Sequence, residues 1–367
     1  MWSNLPFDLL TKIFSFLSPD TLARARSTCK NWHTCSKAYP LTPTTSPWFL
    51  ALPIRNHKPC LYVHNPVIDN WHQLSLQFLP LGSIRLVATI GNLLLLRLTN
   101  STSLQLGLCN PFTTQFRYLP RLHVSRTNPA VGVAISEPNH DVLFPSFRIY
   151  VAGGMSEAAP GGATYEHNVE MYDSRLDTWQ VVGSMPVEFA VRLTVWTPNE
   201  NVYIEDTTTL YWITSARAYS VMEFGVGSNR WRELGVPNAE SLEFATLVRW
   251  NGALALVGGT CGGSACIWEL NEGDTWCLVD KVPSELGLRL LSGKRNWESV
   301  KCVGSDDAIC LYRDLGTGML VCKRVRDMCR WEWVWVDGCG YIKGKQVPNC
   351  PIRGALIHPT LASSLIF

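Results

Sequence analysis

The chain has 367 residues, enough for two domains, and only 17% of them are charged, against roughly 25% in an average soluble protein. Its formal net charge of +2 is far from the strongly basic balance of nucleic-acid-binding proteins, so binding to DNA, RNA or an anionic membrane is not expected. Fifteen tryptophans, 27 glycines and 22 prolines indicate many short strands joined by turns, and therefore a mainly β protein.

The first 41 residues have the apolar pattern of short helices. Apolar side chains recur at every fourth position, as on one wide stripe of a helix, at Leu5, Leu9, Ile13 and Leu17. Pro6 suits a first helical turn, and a Ser-Pro-Asp start signal at 18–20 predicts a second helix, with a third after it. Three helices of this length have more apolar surface than they can bury among themselves. The module is therefore expected to bind a partner.

Residues 5–32 resemble the F-box motif. The shared features are Leu5-Pro6, Asp8-Leu9-Leu10, Ile13-Phe14, Leu17 and Cys29-Lys30-Asn31-Trp32. The resemblance implies binding to a Skp-family adaptor, and through it to the cullin and RING subunits of a ubiquitin ligase. The adaptor-binding residues that it implies are Leu5, Pro6, Leu9, Leu10, Ile13, Phe14 and Leu17, with Leu22, Cys29 and Trp32 in support. Several of these must also hold the module together; the alternative is a helical cap that matches by chance.

A turn-rich segment at 42–47 predicts a hinge between an F-box at 1–41 and a second domain at 48–367. The clearest repeat in that domain places Gly153-Gly154 after a hydrophobic strand, and Tyr172 seven residues before Trp179. This arrangement resembles a kelch repeat. A second unit of the same kind contains Gly258-Gly259 and Trp276.

The other repeats keep only the second half of the pattern, and one of them has Phe224 seven residues before Trp231. We call the six aromatic residues that mark the repeats the anchor aromatics: Trp71, Phe116, Trp179, Trp231, Trp276 and Trp331. They are 45 to 63 residues apart, around the roughly 50-residue period of kelch units. We predict that each begins an outer strand and packs between four-stranded blades of a degenerate kelch-type β-propeller, with six blades favoured and seven possible. Segments 47–52 and 354–361 are candidates to close the ring. The alternative is an irregular β domain with ordinary core tryptophans.

No catalytic, cofactor-binding or metal-binding residue is predicted. The 13 cysteines form no C-x-x-C pair, the eight histidines form no H-x-H or H-E-x-x-H pair, and no phosphate-binding loop or G-x-S-x-G is present. Scattered cysteines are typical of core residues in a reducing compartment, so the nucleus or cytoplasm is expected. No signal peptide or membrane span is expected either.

Together the two modules resemble plant-type F-box/kelch-repeat proteins, which are substrate receptors of SCF-type cullin-RING ubiquitin ligases. The resemblance implies a non-catalytic chain whose F-box binds the adaptor and whose propeller binds an unknown target protein. Two alternatives are a non-degradative F-box interaction protein, such as a transcriptional cofactor, and a propeller enzyme with a metal in its channel. The Gly-Ala-rich segment 155–167 is the candidate target contact, or else a solvated linker.

Overall fold

The computed structural model describes residues 5–15, 17, 21–22, 25, 28–38, 47–54, 60–80, 84–98, 103–136, 146–158, 161–196, 201–294, 296–325 and 330–358. In this part of the chain, six four-stranded antiparallel sheets surround a central channel. The prediction of a mainly β protein with a six-bladed propeller is confirmed, and the seven-bladed alternative is not. Residues 42–46 of the expected hinge and the start signal at 18–20 lie outside the described residues.

Each of the first three blades is an ordered sheet of four strands. Blade by blade, and from the channel outward, they are Ile352–Ile357, Trp48–Pro53, Cys60–Asn65 and Asn70–Ser75; Ile84–Ile90, Leu93–Leu98, Gln105–Asn110 and Gln115–Tyr118; and Ala130–Ile135, Phe147–Ala152, Asn168–Asp173 and Thr178–Ser184. A small hairpin of Met155–Glu157 and Ala163–Tyr165 extends from blade 3, and a helix, Val187–Val195, follows this blade.

Blades 4 to 6 repeat the pattern in strict chain order. Their strands are Asn201–Ile204, Thr209–Ser215, Tyr219–Gly225 and Arg230–Gly235; Leu242–Trp250, Ala253–Thr260, Cys266–Asn271 and Thr275–Lys281; and Lys301–Ser305, Ala308–Tyr312, Met319–Val325 and Arg330–Val336. A helix, Ser284–Leu291, follows blade 5, and a hairpin of Tyr341–Ile342 and Lys345–Gln346 follows blade 6.

The ring closes within blade 1. Its first strand comes from the C-terminal part of the chain and pairs with its second strand from Trp48↔Ile357 to Pro53↔Ile352. This closure was predicted from the sequence and is confirmed for the described residues; 359–361 lie outside them. The closing pair joins the two ends of the domain. The ring of blades is therefore continuous from blade 6 to blade 1.

The direction of the first strands gives the propeller two distinct faces. We call the face where each first strand begins the upper face, and the face where it ends the lower face. Trp48 pairs with Ile357, the last residue of a first strand, so the chain enters the propeller at the lower face. The N-terminal helices are therefore attached on that side.

The N-terminal module begins with a helix at Phe7–Ser15. Its first backbone hydrogen bond runs from the Leu10 N–H to the Pro6 carbonyl oxygen (3.0 Å), which places the proline just before the helix. Residues 21, 22 and 25 are also helical, and a further helix spans Lys30–Ala38.

Candidate docking surfaces

The first helix exposes two apolar side chains one turn apart. Leu9 is 47% exposed and Ile13 is 39% exposed, and the four-residue spacing puts them on the same face of the helix. Pro6, before the helix, is exposed too. Phe7 is also exposed, although the sequence analysis did not include it among the adaptor-binding residues. An apolar residue at the first helical position, directly after the proline, was the signal for it.

Three of the predicted adaptor-binding residues are buried instead. Leu10 and Phe14 are only 1% exposed, and Leu22 is nearly as buried. They belong to the same hydrophobic cluster as Trp48 and Phe112 of the propeller. These three side chains therefore belong to a core that the module shares with blades 1 and 2, and in this structure they present no surface to a partner.

The remaining members of the predicted set are partly buried. Leu5, Leu17 and Trp32 pack against the same cluster, and the ring of Trp32 meets that of Phe14 edge-on at 5.5 Å. The Cys29 carbonyl oxygen accepts the His33 N–H (3.0 Å), so Cys29 begins the Lys30–Ala38 helix. The contact of this set with an adaptor stays a prediction.

The anchor aromatics occupy one structural position in all six blades. Each is the second residue of the fourth strand, as the strand bounds show. Two residues before the aromatic, five blades have a residue with positive φ: Asp69, Thr114, Asp177, Asn229 and Asp274. Asp and Asn tolerate this left-handed conformation better than most residues, which explains their use in these turns. The corresponding position of blade 6 lies outside the described residues.

Three of the tryptophans connect neighbouring blades through the indole N–H. Each donates to a backbone oxygen at the end of the preceding blade: Trp71 to Asp337 (2.9 Å), Trp179 to Pro120 (2.8 Å) and Trp276 to Gly235 (2.8 Å). Trp231 and Trp331 instead stack on other rings, Trp231 on Phe224 at 4.6 Å and Trp331 on Trp250 at 3.8 Å. In both arrangements a large aromatic fills the seam between sheets.

The clearest kelch unit has the geometry that its residues predict. Tyr172 pairs directly with Trp179 across two strands, and their rings are 5.5 Å apart. Gly153 and Gly154 follow the second strand with φ of +67° and +93°, which other residues rarely adopt. A Cβ on Gly154 would lie 2.8 Å from the Thr127 carbonyl oxygen, so glycine is also required for space.

The second diglycine allows a close side-chain contact. Gly258 and Gly259 lie near the end of the second strand of blade 5, and a Cβ on Gly259 would lie 2.7 Å from the Trp297 ring. Trp297 is almost fully buried, and its indole N–H donates to the Gly263 carbonyl oxygen (2.9 Å). The diglycine thus makes room for an aromatic side chain from the connection after this blade.

The described part of the segment 155–167 forms a hairpin, and its contact with a target stays a prediction. Its two short strands pair from Met155↔Tyr165 to Glu157↔Ala163. The buried hydroxyl of Ser156 donates to Glu166 Oε2 (3.1 Å). Residues 159–160 at its tip lie outside the described residues.

A fully buried ion pair, which the sequence pattern did not predict, lies beside this hairpin. The Arg126 guanidinium contacts the Glu170 carboxylate, and it also donates to the carbonyl oxygens of Asn168 (2.8 Å) and Gly153 (3.2 Å). The other lone pairs of Glu170 accept the backbone N–H groups of residues 123 and 124 (2.7 and 3.2 Å). Every charged atom of the pair therefore has a partner, as a buried ion pair requires.

The central channel contains a cavity of about 520 Å³, lined by the first strands of all six blades. Asn201, Glu205 and Arg249 are among the polar lining residues. Within the described ranges, no three His, Cys, Asp or Glu side chains are placed to hold a metal ion. No described helix has the length and hydrophobicity that crossing a membrane requires.

Comparison with known families assigns both modules. Residues 2–43 match the F-box domain, and residues 148–186 match the Kelch motif, which is the repeat that the sequence marks most clearly. Protein UNUSUAL FLORAL ORGANS of Arabidopsis thaliana is 23% identical over 378 residues, which cover 93% of this chain and 80% of that protein.

Two further Arabidopsis thaliana proteins are similar to the chain. An F-box/kelch-repeat protein is 23% identical over 373 residues, covering 94% of this chain and 86% of that protein. SKP1-interacting partner 15 is 30% identical over 141 residues, covering 32% of this chain and 38% of that protein. The similarity to the first two extends over the helices and the propeller together.

Proposed function

We propose, from the premise that this chain joins an F-box domain to a kelch-type propeller, that it is the substrate-recognition subunit of an SCF-type cullin-RING ubiquitin ligase. The F-box binds a Skp-family adaptor, which connects the chain to cullin and RING subunits. The propeller binds a target protein. The chain itself is not catalytic: it raises the local concentration of the target near the ubiquitin-conjugating enzyme.

The observation that carries this proposal is the exposed pair Leu9 and Ile13 on a helix within the F-box match. Leu10 and Phe14 of the same helix belong to the hydrophobic core, whereas the pair Leu9 and Ile13 is exposed and available to a partner. A relative whose name records interaction with SKP1 supports a Skp-family adaptor as that partner.

The proposal places the chain in the nucleus or cytoplasm. Its thiols support a reducing compartment, because buried cysteines act as core residues: burial raises the pKa of Cys109 and of Cys310 to about 12. Imaging of a fluorescent fusion tests this, and secretion of the fusion would contradict it.

Replacing Leu9 and Ile13 together with alanine tests the adaptor assignment. We expect adaptor affinity to fall by more than about 2 kcal/mol, because both side chains would lie at the centre of the interface, while the thermal midpoint changes little. Quantitative co-purification of a Skp-family adaptor with the full chain measures the adaptor affinity. Thermal unfolding followed by circular dichroism gives the midpoint.

The matched control replaces two leucines of the propeller that are at least as exposed, Leu176 and Leu278, with alanine. Adaptor binding by this control should equal that of the unmodified chain. Full adaptor binding by a folded Leu9→Ala/Ile13→Ala chain would refute the F-box docking surface. Proteasome inhibition tests whether binding leads to degradation. We expect it to raise the amount of any target that co-purifies with the chain.

A further inference from the structure

The upper mouth of the channel carries cationic side chains from three consecutive blades. Lys301 is the first residue of the first strand of blade 6, Arg353 is the second residue of that strand in blade 1, and Arg85 is the second in blade 2. Arg97 lies directly opposite Arg85 on the neighbouring strand. Because first strands begin at the upper face, the four residues share one end of the propeller. We call them the basic arc.

Hydrogen bonds to backbone hold the arc together. The Lys301 ammonium donates to the carbonyl oxygen of Ile352 (2.8 Å), the residue before Arg353. The Arg353 guanidinium donates to the carbonyl oxygen of Leu86 (2.8 Å), the residue after Arg85. Each of these bonds positions one cation beside the next along the arc.

Two members of the arc form a like-charge pair. Arg85 and Arg97 face each other across adjacent strands, an arrangement that destabilises a sheet when both side chains are charged. Burial lowers the pKa of both guanidinium groups, and Arg85 lowers that of Arg97 further. Arg97 also donates to Asn128 Oδ1 (3.3 Å), on the segment that leads into blade 3. An anion bound between the two would offset their repulsion.

The lower end of the channel carries negatively charged side chains instead. Glu205, Asp306 and Asp307 follow the ends of first strands and line the cavity there, with Arg249 paired to Asp306. Glu243, near the upper end of blade 5, accepts the backbone N–H of Trp297. An anionic ligand is therefore attracted to the upper mouth over blades 6, 1 and 2, and repelled from the lower one.

The geometry points to the basic arc as the binding site for an acidic segment of the target protein, whose carboxylate or phosphoryl oxygens contact Arg85, Arg97 and Arg353. This inference rests on the proposed function, in which the propeller recognises a target. The F-box joins the lower face, and a first strand of six residues separates the two faces by about 20 Å, so a bound adaptor leaves the arc open. A protein segment fits better than nucleic acid, because the cations are few and lie within three neighbouring blades.

Fluorescence anisotropy with the full chain, in complex with its adaptor, tests the inference. The probes are labelled Gly-Ser-rich peptides of equal length with Glu, phosphoserine or Gln at the same positions. We expect the Glu or phosphoserine peptide to bind at least about tenfold more tightly than the Gln peptide, with affinity falling as salt rises. Comparing the affinities of the Glu peptide and the phosphoserine peptide shows whether the site prefers carboxylate or phosphoryl oxygens.

Arg85→Gln and Arg97→Gln, made separately, should each weaken binding of the anionic peptide about tenfold. Arg85→Lys and Arg97→Lys, which keep the charge, should retain most of the binding; equal loss of binding in the lysine variants would indicate a structural role and overturn the inference. Arg217→Gln is the control, since Arg217 is an exposed arginine in the second-to-third strand loop of blade 4.

Equal binding of the Gln peptide, unchanged binding by both variants, or equally tight binding of a single-stranded DNA oligonucleotide would each overturn the inference. Adaptor co-purification is measured on the same samples. Peptide binding lost with adaptor retained contradicts the basic arc alone, whereas an adaptor that never binds contradicts the proposed function.

Discussion

Replacing Trp179 with alanine should destabilise the propeller by about 3–5 kcal/mol. The side chain is only 5% exposed, and it belongs to the hydrophobic cluster between blades 2 and 3. Its removal leaves a cavity beside Tyr172 and also leaves the Pro120 carbonyl oxygen without the indole N–H. Urea denaturation followed by circular dichroism gives the free energy of unfolding.

Two further variants separate the contributions of this tryptophan. Trp179→Phe keeps most of the ring contact and loses the N–H donor, so it should cost less than Trp179→Ala. Trp196→Ala removes a partly exposed tryptophan at the end of the Val187–Val195 helix and should change stability by less than about 1 kcal/mol. An unaltered unfolding midpoint for Trp179→Ala would show that this residue does not stabilise the seam.

The anchor position was predictable because local chemistry repeats it. An Asp or Asn that favours a left-handed turn stands two residues before Trp71, Trp179, Trp231 and Trp276, so turn and aromatic recur together along the chain. The same local regularity made the six outer strands recognisable. Ring closure was predicted on a different ground, that a C-terminal strand completes the N-terminal blade of a closed propeller.

Contacts that depend on strand register were not predictable. Arg85 faces Arg97 only because of one particular pairing of two strands, with an irregularity between Leu86 and Ala88. A shift of one residue would point these side chains to opposite faces. The division of the first helix into exposed Leu9 and buried Leu10 was equally hidden, because the sequence shows a uniformly apolar stripe and not which of its side chains the rest of the fold covers.

Replacing Glu170 with alanine should also cost about 3–5 kcal/mol, because it leaves the Arg126 guanidinium buried without its counterion. It further leaves the backbone N–H groups of residues 123 and 124 without their acceptor. Glu170→Gln keeps an oxygen acceptor and should fall between alanine and the unmodified chain. The free energy of unfolding is measured as for Trp179→Ala.

An exposed ion pair should contribute much less to stability than this buried one. Arg232 contacts Glu223 and Asp274 at the surface, and Arg232→Gln should cost at most about 1 kcal/mol. Salt distinguishes the two cases, because mobile ions screen exposed charges and hardly reach buried ones. In high salt the cost of Arg232→Gln should disappear while that of Glu170→Ala remains. If both costs vanish together, the Arg126–Glu170 pair is accessible to solvent, and the link that it forms between blade 3 and the segment before it is not a buried part of the fold.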